Sequence, residues 1–222
     1  MTASITHKIQ SLQEIIPAQV KLLTITKQVE IAAMQEAYDA GVRDFGENRL
    51  QEALAKQKQL SHLKDIQWHF IGHIQKNKAK KVIEHFDWIH SVDSLSLAQR
   101  LDRLAGELHK SPQILLQVKM LPDPNKYGWE ATELLEDLQK LNQYQQLKIQ
   151  GLMTILPLGL SRSQTLSAFQ ETKKLATTIS QKNYPNLVMK QLSMGMSGDY
   201  PLAIEAGATM IRLGRTIFGD RN

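Results

Sequence analysis

Short apolar runs alternate with longer amphipathic ones along nearly the whole chain. The short runs are "KLLTIT" (21–26), "RDFGE" (43–47), "IQWHFIG" (66–72), "DWIHSV" (87–92), "QILLQVKM" (113–120), "KIQGLMTI" (148–155), "MKQLSM" (189–194) and "TMIRLG" (209–214). Between them the apolar positions recur at helical spacing. Ile31, Met34, Ala37 and Tyr38 share one face of 30–40, and Leu97, Leu101, Leu104 and Leu108 share one face of 94–108. Asp93 or Ser94 is placed to cap the second of these. "ATELLEDLQKLNQY" and "SRSQTLSAFQETKKLATTIS" read as further helices, and a first helix over 4–16 is stopped by Pro17.

Eight strand candidates, the first seven each followed by a helix, predict a parallel sheet with crossover helices. The count of eight favours a closed (β/α)8 TIM barrel, an α/β fold, over an open doubly wound sheet. No G-x-G-x-x-G fingerprint follows an early strand, which weighs the same way. No linker or composition break divides the 222 residues, so one domain over 1–222 is expected, with the helix of 1–18 ahead of a barrel over 20–222.

Composition narrows the chemistry. Zero cysteines exclude disulfides and thiolate catalysis. No secretory signal stands at the start and no apolar run approaches the ~20 residues that span a bilayer, so a cytoplasmic protein is expected. The net charge of +5 suits an anionic ligand. Lys76, Lys78, Lys80 and Lys81 cluster in "QKNKAKK", but without a nucleic-acid module or stacking aromatics they read as a solvated helix face. His69 and His73 are four apart without sharing a helical face, and no metal is expected. His69 reads either as lining the mouth or as a satisfied polar group at the barrel top.

In a barrel, functional residues gather where strands end. Lys27, Asn48, His69, Gly72, Met153, Thr154, Ser193, Met194, Gly195, Arg212, Gly214 and Thr216 would converge there. The loops after strands seven and eight, "SMGMSGDY" and "RLGRTIFGDR", carry glycines, hydroxyls and amides that suit a phosphate. A lysine at the end of strand one would then face a phosphorylated aldehyde. Free lysine titrates near ~10.4, and apolar neighbours together with a cation such as Arg212 favour its neutral, nucleophilic form.

The segments "LLTITK", "RDFGENRLQE", "WHFIGHIQKNKAKK", "IHSVDSLSLA", "GLMTILP" and "LSMGMSGDYPLAIEAGATMIRLGRTIFGDR" resemble, in order and over almost the whole chain, the pyridoxal phosphate homeostasis protein family, also called proline synthase co-transcribed homologue. The resemblance implies a fold type III barrel like that of bacterial alanine racemase, carrying pyridoxal 5′-phosphate (PLP). It implies a Schiff base on Lys27, a phosphate grip at Ser193, Gly214 and Thr216 with Ser197 nearby, Arg212 facing the pyridine nitrogen, and Asn48 and Met153 lining the cofactor. Thr26 departs from the family's usual serine, and "KMLPDPNKYGW" keeps only the end of the family's fifth loop, at Lys126 and Gly128.

An arginine at the ring nitrogen argues against transamination and permits racemisation. Racemisation needs a base on each face. The chain ends at Asn222 soon after strand eight, so the second domain that supplies the other base in racemases is expected to be missing, and Tyr200 reads as packing. The expectation is a monomeric PLP-binding protein that buffers or delivers the cofactor, in possible transient contact with PLP-dependent enzymes, with indirect effects on amino-acid balance. The alternative is a weak or specialised amino-acid racemase.

Overall fold

The computed structural model describes residues 4–220. Helix α1 (Ile5–Ile15) leads into β1 (Lys21–Ile25), α2 (Ile31–Asp39), β2 (Asp44–Glu47), α3 (Leu50–Gln59) and β3 (Gln67–Phe70). A 3-10 turn at Lys76–Lys78 precedes α4 (Ala79–His85), β4 (Trp88–Val92), α5 (Leu95–Glu107) and β5 (Gln113–Lys119). Next come β6 (Trp129–Glu130), α6 (Ala131–Leu141), β7 (Lys148–Thr154), α7 (Arg162–Gln181), β8 (Leu187–Met196), α8 (Tyr200–Glu205), β9 (Met210–Leu213) and α9 (Arg215–Phe218).

Eight of these strands pair in parallel and close on themselves in the order β1, β2, β3, β4, β5, β7, β8, β9, back to β1. The chain is a (β/α)8 barrel, as the alternation predicts. The short β6 escapes a sequence reading because it is one pair of residues, added to the end of β5 at Val118 and Lys119.

Helix starts follow local chemistry. Ser94, not Asp93, caps α5, its hydroxyl accepting from the Leu97 amide (3.4 Å). Ser161 and Gln164 form a reciprocal capping box on α7. Leu97, Leu101 and Leu104 of α5 are buried against the barrel. No helix among the described residues is long and apolar enough to cross a membrane.

Strand alternation sorts side chains into two layers. On β5, Ile114, Leu116 and Val118 join the large core between barrel and helices. Leu115 faces the other way, into a small interior cluster with Met153 and Met210, against which Trp88 and Ile155 pack. The barrel interior is normally filled by branched apolar side chains. Here much of it is polar, and that is where the functional geometry begins. Gly151 marks a close approach on the wall, since a Cβ there would lie 1.8 Å from the Gln191 carbonyl oxygen.

Candidate binding site at the barrel mouth

Lys27 lies in the turn just beyond β1 and is half-buried. The residues on either side of it are tied to β2 and α3. The Thr26 amide donates to the Gly46 carbonyl (3.0 Å) and its hydroxyl to Glu47 Oε1 (2.6 Å). Lys56, from α3, donates to the Thr26 carbonyl (2.6 Å), Glu47 Oε1 (2.9 Å) and Glu52 Oε1 (2.6 Å). The Gln28 amide donates to Glu52 as well, and Gln28 sits at φ 56°, the left-handed region. Lys56 and Glu47 are a buried ion pair, with side chains 8% and 0% exposed. Burial pushes the Glu47 carboxyl above its usual range, against the bonds from Thr26 and Lys56.

Asn48 follows β2. The last register pair of β1 with β2 is Ile25 with Gly46, two residues before Lys27 and Asn48. Asn48 Oδ1 is buried and has no hydrogen-bond partner among the described residues. The loop after β3 presses on it, because a Cβ on Gly72 would stand 2.1 Å from the Asn48 carbonyl oxygen. A buried acceptor left open in this way fits a ligand donor or a water.

Arg212, on β9, is 3% exposed. Its Nη1 donates to Ser193 Oγ (2.8 Å) and its Nη2 to the Thr154 carbonyl (2.8 Å). It makes no salt bridge among the described residues. Burial lowers it to about 10, with Asp199 opposing, so it remains a cation at neutral pH. An unpaired buried cation costs free energy and marks a place where an anion or an electron-rich group belongs. Met153 lies beside Ser193 in the β7–β8 register.

The loops after β8 and β9 meet where the Thr216 amide donates to Ser197 Oγ (3.4 Å). Gly195 holds φ 89° and packs on α8: a Cβ there would meet Ala203 Cβ at 2.6 Å and Tyr200 Cα at 3.0 Å. Tyr200 is half-buried against the core. Gly214 is buried at the start of α9, its carbonyl accepting from the Ile217 (3.0 Å) and Phe218 (2.9 Å) amides. Gly198 borders open space.

The structure therefore brings some of the expected residues together, Ser193 with Arg212 and Met153 and Ser197 with Thr216, while Lys27 and Asn48 follow the adjacent strands β1 and β2. The Ser193 hydroxyl lies inside the barrel rather than in the open loop, committed to Arg212 and to a histidine that the sequence reading passed over. His90 Nδ1 stands 2.9 Å from Ser193 Oγ. His90 Nε2 meets His69 Nδ1 at 2.9 Å, and His69 Nε2 meets Asp44 Oδ1 at 2.9 Å. Lys21 closes the row on Asp44 (2.8 Å). His69 is thus a satisfied interior group, stacked on Trp88 with ring centres 5.7 Å apart. The signal that reveals these residues is strand alternation: His90 shares a face with Trp88, two residues before it.

Burial lowers His69, against its bond to Asp44, and holds His90 well below the histidine range, helped by His69, Arg212 and Lys21. Burial raises Asp44, but its bonds to His69 and Lys21 outweigh that and leave it below its usual value. The fifth loop folds back over the segment that follows β3, with Tyr127 stacked on His73 (3.7 Å between ring centres) and Gly128 at φ 127°. Lys126 is half-buried there, while Lys76, Lys80 and Lys81 are exposed. The described residues contain no group of three or more His, Cys, Asp or Glu placed to hold a metal.

Residues 2–222 match the family model for the alanine racemase N-terminal domain. The pyridoxal phosphate homeostasis protein of Synechocystis sp. is 57% identical over 206 residues, 93% of this chain and 94% of that one. Its namesake in Escherichia coli is 36% identical over 211 residues, 93% and 88% of the two chains. Among solved structures, PipY of Synechococcus elongatus with PLP bound superposes with a TM-score of 0.93 at 50% identity, over 97% of this chain and 100% of that one. Alanine racemase of Clostridium difficile shares the fold, with a TM-score of 0.81 at 13% identity over 98% of this chain and 57% of the racemase. The chain belongs to the pyridoxal phosphate homeostasis protein family, on a barrel of the alanine racemase N-terminal-domain type.

Proposed function

We propose that this protein holds PLP reversibly at the barrel mouth and buffers or delivers it, as a binding protein rather than an enzyme. The observation that carries the reading is Arg212, a buried guanidinium with no carboxylate partner among the described residues, below a mouth that Lys27 borders. The residues present fit the cofactor. The Asn48 carbonyl-type oxygen is an open buried acceptor, and the Ser197–Thr216 contact joins the two loops that would take the phosphate.

PLP supplies an aldehyde that forms a C=N bond with an amine, and a pyridine ring that withdraws electrons from what is attached. Lys27 would hold it through Nζ, with loss of one water. Ser197, Gly214 and Thr216 would take the phosphate, together with the backbone around Ser193. Asn48 and Met153 would line the ring. Arg212 would donate to the pyridine nitrogen. Because Arg212 stays charged at neutral pH, it would donate a hydrogen bond without keeping the ring nitrogen protonated, and the ring would be a weak electron sink. The relatives' name, homeostasis protein, supports holding over turnover. The same reading has the protein act in the cytoplasm as a monomer, meeting PLP-dependent enzymes in transient contact and affecting amino-acid balance only indirectly.

The test is a visible absorption spectrum of protein mixed with PLP, wild type beside Lys27→Ala. A visible band in the wild type that the variant lacks is the expected result. No band in either would remove the cofactor from the reading. Incubation with L-alanine and chiral analysis checks the rest: turnover at ordinary enzyme rates, dependent on Lys27, would make the protein a racemase.

A further inference from the structure

The row Arg212–Ser193–His90–His69–Asp44 crosses the barrel interior, and beyond Arg212 its side chains have no role in the cofactor contacts assigned above. We propose that Ser193, His90, His69 and Asp44 form a positioning chain for Arg212, one head-to-tail run of hydrogen bonds that fixes the guanidinium in the orientation from which it donates to the ring nitrogen. This inference rests on the PLP reading and names residues that act through Arg212.

The direction of the chain follows from its ends. Arginine has only donors, and an ionised aspartate has only acceptors. Every group between must accept once and donate once. Arg212 Nη1 donates to Ser193, so the serine hydroxyl turns its proton to His90 Nδ1 (2.9 Å). His90 then carries its proton on Nε2 and gives it to His69 Nδ1 (2.9 Å). His69 carries its proton on Nε2 and gives it to Asp44 (2.9 Å). The opposite pair of neutral tautomers would set a bare His69 Nε2 against the Asp44 carboxylate, lone pair to lone pair. With both rings neutral, each is therefore protonated on Nε2.

The surroundings enforce this state. His69 and His90 are fully buried, and Trp88 walls one side of His69. Lys21 holds Asp44 from the other side, so the terminal acceptor stays ionised. A second positive charge on His90 would stand one serine away from the Arg212 guanidinium.

A purely structural account is the weaker one. An interior of branched apolar side chains would be at least as stable as a buried polar run. What the run supplies is orientation. With Ser193 locked between His90 and Arg212, Nη1 and Nη2 are both fixed, and the remaining N–H groups point where packing leaves them.

The experiment measures PLP affinity and the position of the visible band in wild type, His90→Leu and His90→Gln. Leucine fills the space and breaks the chain. Glutamine can accept from Ser193 and donate to His69 through one amide. The chain predicts that His90→Leu weakens PLP binding about tenfold or more and moves the band, in line with the loss of a hydrogen bond to a charged group. His90→Gln should recover affinity to within about threefold of wild type, with the band restored. Equal affinity and an unmoved band in a folded His90→Leu protein would overturn the proposal. If the wild type itself shows no band, the PLP reading fails instead, which is a different result. Should His90→Leu not fold, imidazole nitrogen NMR on the wild type without PLP decides. Two neutral rings protonated on Nε2 are expected at pH 7, and an imidazolium or an Nδ1-protonated ring at either position would refute the chain.

Discussion

Replacing Lys56 by methionine keeps its apolar stem and removes its charge from three acceptors, the Thr26 carbonyl, Glu47 and Glu52. Glu47 is then a buried carboxylate whose Oε2 already lacks a partner among the described residues. Breaking a buried pair from one side costs about 3–5 kcal/mol, most of it the stranded charge. The deficit must also depend on pH. Glu47 titrates above its ordinary value of 4.5 in the folded protein, and losing Lys56 raises it further. A group whose folded pKa is raised gives its full stability below the unfolded pKa and loses it as pH rises through the folded one. Wild type therefore loses a little stability from Glu47 as pH rises above 4.5, and Lys56→Met loses more over a wider span. The difference between them grows by up to about 1.4 kcal/mol per pH unit until the variant's carboxyl is ionised. Thermal melts of both proteins at pH 5.5, 7.0 and 8.5 measure it. At about 2–4 °C per kcal/mol, the midpoint at pH 8.5 should fall by roughly 6–20 °C, and the gap should narrow at pH 5.5. The double variant Glu47→Gln, Lys56→Met should recover most of the loss. A deficit below about 1 kcal/mol, or one that ignores pH, would refute the placement of this pair in the wall behind Lys27.

Three further outcomes are expected. Both His69 and His90 are depressed from 6.5, so their contribution to stability is present above that value and lost as pH falls through their folded values. Between pH 7.5 and 5.5 each should cost up to about 1.4 kcal/mol, and a His69→Gln, His90→Gln protein should show a flatter pH–stability curve in urea titrations; an unchanged slope would contradict the burial. Gly151→Ala should destabilise by more than about 2 kcal/mol, because its Cβ meets backbone rather than a flexible side chain, and a melting midpoint within 2 °C of wild type would contradict that. Lys27→Ala should remove the visible band with PLP in a protein that still folds, since the backbone on either side of it is held through the Thr26 carbonyl and the Gln28 amide; a band that persists in the variant would contradict the assignment.

The barrel was legible because alternation is a local property. Eight apolar runs with helical spacing between them specify the parallel closure without any knowledge of contacts, and among the described strands β6, too short to leave a pattern, was missed. The candidate residues at strand ends were legible for the same reason: once the strands are placed, their ends share one mouth. The supports behind them were not. Lys56 reaches Thr26 across 30 residues of sequence, and His90 reaches Ser193 across 103. On α3, Lys56 reads as one more solvated helix charge until the fold turns it inward. His90 reads as one polar residue in "DWIHSV", and only the closure of the ring makes its face an interior one. Ser193 shows the limit most clearly: the loop pattern suggests a phosphate ligand, and the structure gives its hydroxyl to an arginine and a histidine.

These two supports have a common logic. The wall-side cluster around Lys56 holds the residues flanking Lys27 by their backbone groups, the Thr26 carbonyl and the Gln28 amide. The interior run does the same for Arg212, which has two nitrogens hydrogen-bonded and no carboxylate salt bridge among the described residues. The only acid in that run, Asp44, is shared with Lys21 at the far end, two histidines away. If a carboxylate stood where Ser193 does, Arg212 would be paired and its attraction for an electron-rich ligand largely cancelled. Neutral histidines transmit orientation without transmitting charge. They let the barrel interior hold Arg212 through two hydrogen bonds without neutralising it, which is the combination the proposed site needs if it is to hold a cofactor by position and still let it go.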